Sequence, residues 1–156
     1  MARASGRHTT PDQRVRDLRK QLRTLEVEPP GPERAEHLAA LARAAHEERM
    51  LNMAMHAASL CLDDDPDDPE RLVAVYLAAG RDPEERLHAL DDLRDLARYV
   101  GRHDISAIAE QHLRQVAQAW VAAGEEPERR YRLRRVQSVA SVEVADAIRT
   151  TLGLPD

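Results

Sequence analysis

Tyr76-Leu77-Ala78-Ala79-Gly80-Arg81-Asp82-Pro83-Glu84-Glu85-Arg86 returns farther along the chain as Trp120-Val121-Ala122-Ala123-Gly124-Glu125-Glu126-Pro127-Glu128-Arg129-Arg130, the two glycines 44 residues apart. Each copy reads as the end of one helix, an Ala-Ala-Gly stop, followed by the start of another: an acidic cap, a proline in the first turn and glutamates behind it. A unit of that length holds two helices. The echo therefore predicts stacked antiparallel helical hairpins, which commonly make binding surfaces.

Working outward from these two stretches, the same punctuation divides the rest of the chain. Upstream, Thr10, Pro11 and Gln13 form a Thr-x-x-Gln start for a helix whose stripe is Val15, Leu18, Leu22 and Leu25. It must end before Pro29-Pro30-Gly31-Pro32, a stiff connection. A second helix from Pro32 or Glu33 to about Glu48 carries Ala35, Leu38, Ala39, Leu41, Ala42 and Ala45 on its apolar side; a third covers roughly Met50 to Leu62. After the acidic turn Asp63 to Pro69, a short helix closes at Gly80, another runs from Asp82-Pro83 to Gly101, and Asp104 caps a long one through Ala123 with Trp120 inward. Pro127 to about Gln137 and Ser141 to Leu152 complete seven or eight helices, an all-α chain arranged as a helical superhelix or an irregular bundle.

Composition agrees. Ala, Leu, Arg and Glu dominate, and β-branched residues never alternate over a strand length. With no Phe, one Trp and three Tyr, the core must be Leu, Ala, Val and Met, which suits closely approaching helices. At 156 residues the chain is most simply one domain: residues 10–156 are expected to form it, with the repeat core at about 33–137, and residues 1–9 to be a disordered basic arm. The single cysteine, Cys61, excludes an internal disulfide and points to a reducing cytoplasm. The arginines at the start have no apolar stretch behind them, so no signal peptide is expected. The longest uncharged run, Met50 to Leu62, is 13 residues, too short to cross a bilayer, so no membrane partner is expected.

Charge is unevenly placed. Residues 1–25 hold seven Arg or Lys against two acids, and residues 26–70 hold three Arg against 12 acids. The basic piece can meet an anionic partner or pack against the acids behind it, and the second reading is the simpler.

The spacing over residues 35–68 resembles a tetratricopeptide repeat. Counting from Ala35, the residues Leu38, Leu41, Ala42, Ala45, Ala54, Ala58, Cys61 and Pro66 fall where that family keeps large, large, small, large, small, large, small and proline. Ala45 and Ala58 are smaller than the pattern wants, and the next frame, from Pro69, is degenerate, with Tyr76 and His88 at small positions. The resemblance implies a module for protein association. Its concave side would be lined by the first helix of each pair, here through Glu36, Arg43, His46 and Glu47. Family members that hold a peptide carboxylate use a lysine and asparagines where this chain has Ala39, Ala40 and Arg43, so chaperone C-termini are not the expected ligand.

The constellations with the residue types for chemistry have simpler readings. Asp64-Asp65-Pro66-Asp67-Asp68 matches a magnesium-holding DDxxD run, yet a proline interrupts it and the chain has no Phe for an aromatic cavity, so it reads as an acidic turn that caps the next helix. Met50, Met53, Met55, His56 and Cys61 bring soft ligands close in sequence but onto different faces of one helix. Glu85-x-x-His88 has the spacing of a di-iron motif without the second copy such a site needs. No P-loop, HExxH or GxSxG pattern occurs.

Two basic tracts remain, Arg14, Arg16, Arg19, Lys20 and Arg23 on the first helix and Arg129, Arg130, Arg132, Arg134 and Arg135 on a later one; solvated faces paired with nearby acids are the simpler reading, and the first five with Arg129, Arg130 and Arg134 are the anion-binding candidates. The sequence thus points to an adaptor or regulatory module that binds another protein or peptide, with no catalysis, cofactor or metal. A nucleic-acid-associated regulator using the Arg-rich ends is the rival, and a helical-bundle enzyme or metal protein the third reading. Apolar helices poor in aromatics also pair between chains, so a homodimer is among the expected partners.

Overall fold

The computed structural model describes residues 10–155, which form eight α-helices and no β-strand. The arm expected over residues 1–9 lies outside them. The sequence reading of residues 10–156 has one domain; in the structure the contacts fall into two compact units, one ending at Arg71 and the other beginning at Leu72.

The first unit is built from α1 (Pro11–Glu26), α2 (Pro32–Glu47) and α3 (Leu51–Asp64). Thr10 caps α1 by accepting from the Gln13 N–H at 3.1 Å. The reciprocal half of the box does not form, because the Gln13 side chain turns forward and donates to Asp17 at 3.0 Å. Pro32 opens α2, where its missing N–H costs nothing. The link from α2 to α3 is only Glu48, Arg49 and Met50, with Arg49 in the left-handed region at φ 61°. Two helices of 16 and 14 residues in contact across so short a link form an antiparallel hairpin.

Alanine dominates that hairpin's interface. Ala35, Ala39, Ala42 and Ala45 of α2 and Ala54, Ala57 and Ala58 of α3 are fully buried, with Leu38, Leu41, Met53, Cys61 and Leu62 filling the remainder. Small side chains let the two backbones approach closely, which is how a core nearly free of aromatics closes.

The acidic turn is neutralised from within the unit. Arg34 forks onto Asp64, Nε to Oδ2 at 2.5 Å and Nη2 to Oδ1 at 2.7 Å, with both side chains nearly inaccessible. Its Nη1 donates to the carbonyls of Leu25 and Glu28, so one guanidinium joins the end of α1, the proline-rich link and the end of α3. Arg71 pairs with Asp65 at 2.5 Å and Asp68 at 3.3 Å. The expected cap for the next helix is thus largely a counter-ion for two arginines.

The second unit contains α4 (Arg71–Ala79), α5 (Pro83–Tyr99), α6 (His103–Ala123), α7 (Glu128–Val139) and α8 (Val142–Leu152). A turn through Gly101, at φ 77°, folds α5 and α6 into a second hairpin, and Ala140-Ser141 joins α7 to α8. Leu87, Leu90, Leu93, Ile105, Leu113, Val121, Val136 and Val144 form the core of this unit, and Tyr76 is also fully buried. Ser141 caps α8 by accepting from the Val144 N–H at 3.1 Å.

The two copies of the echoed phrase fold differently. In the first, Asp82 accepts from the Glu85 N–H at 2.9 Å and Glu85 accepts from the Arg81 N–H at 2.7 Å, closing the turn into α5. In the second, Glu126 makes no such cap and α7 begins at Glu128, one residue past the proline expected in its first turn. Nor do the glycines serve a left-handed stop, since Gly124 is extended at φ −84° and Gly80 has no positive φ. Close approach explains them better. A Cβ on Gly80 would lie 2.5 Å from Arg86 Cγ and 2.8 Å from its backbone nitrogen, and one on Gly124 would meet the Arg132 side chain at 3.2 Å. Asp104 also departs from expectation: Arg102 occupies the cap of α6, and Asp104 sits in the first turn, paired with Arg102 at 2.9 Å, which holds its carboxyl below the usual range. Trp120 is half-buried rather than inward.

Candidate binding groove

Arg14 Nε meets Glu48 at 3.0 Å near one end of α1, and Arg34 holds the carbonyls at its other end. Between these fastenings Leu18 and Leu25 are buried. Facing them, α2 presents His37, Ala40, Leu41 and Ala44, and two alanines one turn apart are too small to fill the space a larger residue would close. An open groove of about 570 Å³ results, lined also by Lys20, Gln21 and Thr24. Toward the Arg14 end it continues into a cleft of about 240 Å³, edged by Asp17, Glu47 and Glu48. The floor is aliphatic, the Arg14 end is charged and Lys20 stands on the wall, the arrangement of a ligand site that gains affinity from apolar burial and register from polar groups at the edge.

Of the four residues assigned from the resemblance, only Glu47 borders this groove. Arg43 is 15 % exposed and held by Glu47 at 2.7 Å; Glu36 is exposed and His46 half-buried. The residues that shape the floor, Ala40 and Ala44, carry no polar signal. They gain meaning only once α1 lies beside them.

From the first basic tract, Arg14 and Lys20 line the groove, while Arg16, Arg19 and Arg23 face solvent, Arg16 donating to Gln13 at 3.1 Å. Arg14 pairs with Glu48, and His56 approaches Glu26 at 3.7 Å. The densest acids, in the turn after α3, are taken by Arg34 and Arg71.

In the second tract three arginines do structural work. Arg129 donates to the carbonyls of Gly124 and Ala122 at the end of α6; Arg132 donates to the Trp120 carbonyl at 2.7 Å and lies 5.5 Å over its ring; Arg135 holds Glu84 at 2.6 Å. They answer the unpaired carbonyls that every helix leaves at its C-terminus and fasten α7 to α6 and α5. Arg130 and Arg134 remain exposed.

Cys61 is buried, and burial pushes its thiol up to about 12, the opposite of what a thiolate nucleophile requires. Among the described residues no three His, Cys, Asp or Glu side chains converge as metal ligands. Among the described residues no helix is long and apolar enough to cross a membrane. Comparison of the chain with protein-family models, with curated proteins and with solved structures finds no match.

Proposed function

We propose that this protein is a polypeptide-binding module, an adaptor or regulatory scaffold without a catalytic role, and that the groove between α1 and α2 receives an apolar stretch of its partner. The observation carrying the proposal is the aliphatic floor left open by Ala40 and Ala44, with charged side chains at its Arg14 end. A partner segment with two or three aliphatic side chains on one face would cover that floor, its charges meeting Lys20 on the wall and Asp17 and Glu47 at the Arg14 end. The tetratricopeptide resemblance also pairs α2 with α3 and turns α2 to the ligand, but of the four residues on its ligand side only Glu47 borders this groove. It places the protein in the cytoplasm, where a lone buried thiol stays reduced.

A photo-crosslinking residue placed at Ala40 tests this, with the same residue at exposed Ala107 of α6 as control. In the native cells the Ala40 position should capture a defined partner that the Ala107 position does not, and Ala44→Trp should suppress the capture by filling the groove. Equal capture from both positions would remove the assignment.

A further inference from the structure

The facing sides of α7 and α8 enclose a second, much smaller pocket of about 80 Å³, independent of the groove. Arg129, Arg130 and Arg134 reach it from α7 and Arg149 from α8, with Leu133 and the Leu154-Pro155 segment closing it and Glu126 the one carboxylate on its wall. We infer that this pocket binds a phosphomonoester group.

The first argument is charge. Glu126 lies 3.8 Å from Arg130, and Asp146 holds Arg149 Nη1 at 2.5 Å. Four guanidiniums against these two carboxylates leave a surplus near two positive charges. A phosphomonoester carries about −1.5 to −2 at neutral pH and three acceptor oxygens, whereas a carboxylate or a phosphodiester brings a single negative charge.

The second argument is the hydrogen-bond inventory. Arg149 gives Nη1 to Asp146 and keeps Nη2 without an acceptor among the described residues. Arg134 has no ion-pair or hydrogen-bond partner among the described residues, and Arg129 commits Nε and Nη2 to helix carbonyls, keeping Nη1. The donors needed to surround a tetrahedral anion are therefore present, uncommitted and drawn from two helices. Residues 72–156 hold 12 arginines against 14 acids, so they carry no net positive charge to draw in a long polyanion.

The test follows the arginine Nε–Hε signals of the full chain by NMR at constant ionic strength. The titrants are inorganic phosphate, a short phosphoserine peptide, its unphosphorylated form, acetate and a single-stranded oligonucleotide. Phosphate and the phosphopeptide should shift the Arg149 signal, and Arg134→Gln and Arg149→Gln should each weaken binding about tenfold or more, with Arg98→Gln unchanged. Arg134 is exposed, so its variant stays informative if Arg149→Gln lowers stability. Tighter binding of the phosphopeptide than of phosphate identifies a modified polypeptide as the source; equal affinities identify free or small-molecule phosphate. An Arg149 signal that stays fixed at tens of millimolar phosphate, wild-type affinity in both variants, or displacement by the oligonucleotide at lower concentration than phosphate would each overturn the inference.

Discussion

Replacing Leu38 by alanine probes whether the alanine-lined hairpin of α2 and α3 is as close-packed as its burial indicates. Leu38 is 0 % exposed, and most of the buried residues around it on the two helices are alanines. Removing three carbons forfeits roughly 2.4 kcal/mol of transfer free energy at about 0.8 per methylene. Alanines have no side-chain torsions with which to refill the space, so a residual cavity of about 60 Å³ would add roughly 1.4 kcal/mol at ~24 cal/mol per Å³. The expected loss is thus about 4 kcal/mol. Urea unfolding followed by circular dichroism measures it, with Ala40→Leu as the control, since that residue lines an open groove and should change stability by no more than about 0.5 kcal/mol. In a unit of this size each kcal/mol lowers Tm by about 4–8 °C, so the transition containing α2 and α3 should move far ahead of wild type. A loss below about 1 kcal/mol, or one matching the control, would mean that the hairpin is loosely packed and the reasoning wrong.

Acid sensitivity should trace in part to Asp64, whose carboxyl is held below its ordinary value first by the hydrogen bond from Arg34. Its folded-state pKa is depressed, so its contribution is complete above about pH 3.9 and disappears as pH falls through the folded value; Asp64→Asn should lower Tm at pH 7 and flatten the fall between pH 5 and 2 in thermal melts. Gly80→Ala should cost about 1–3 kcal/mol, because its Cβ meets the backbone of Arg86, whereas Gly124→Ala should cost less, because the Arg132 side chain can move aside; denaturation of the two variants side by side decides this. Cys61, with its thiol pushed up to about 12 by burial, should resist a thiol reagent at pH 8 in the folded protein and react fully in denaturant; rapid labelling of the native chain would contradict that burial.

Much of the fold was legible because helix ends are local events. Thr10, Asp82 and Ser141 each satisfy a backbone N–H three residues on, and the prolines at 11, 32 and 83 mark first turns. Where two local signals compete, the reading slipped. Asp104 has the chemistry of a cap, but the Arg102 guanidinium claims its carboxylate; Glu126 replaces Asp82 in the echo, and its longer side chain leaves α7 uncapped. The glycines of the echo read as helix stops, yet what they avoid is an arginine six or eight residues away.

The order and extent of the helices, their apolar faces and the small-residue character of the core belong to the sequence by itself, since each rests on contacts within a few residues or on a 3.6-residue period. Which helices lie side by side, and what stands between them, was decided by tertiary structure alone. Ala40 and Ala44 become a groove floor only because Arg14 and Arg34 hold α1 beside α2, and Arg134 meets Arg149 only because α8 folds back on α7. Helical hydrogen bonds reach four residues along a chain. The contacts that make these sites span from 6 to 34, a distance over which residue identity names the partners without placing them.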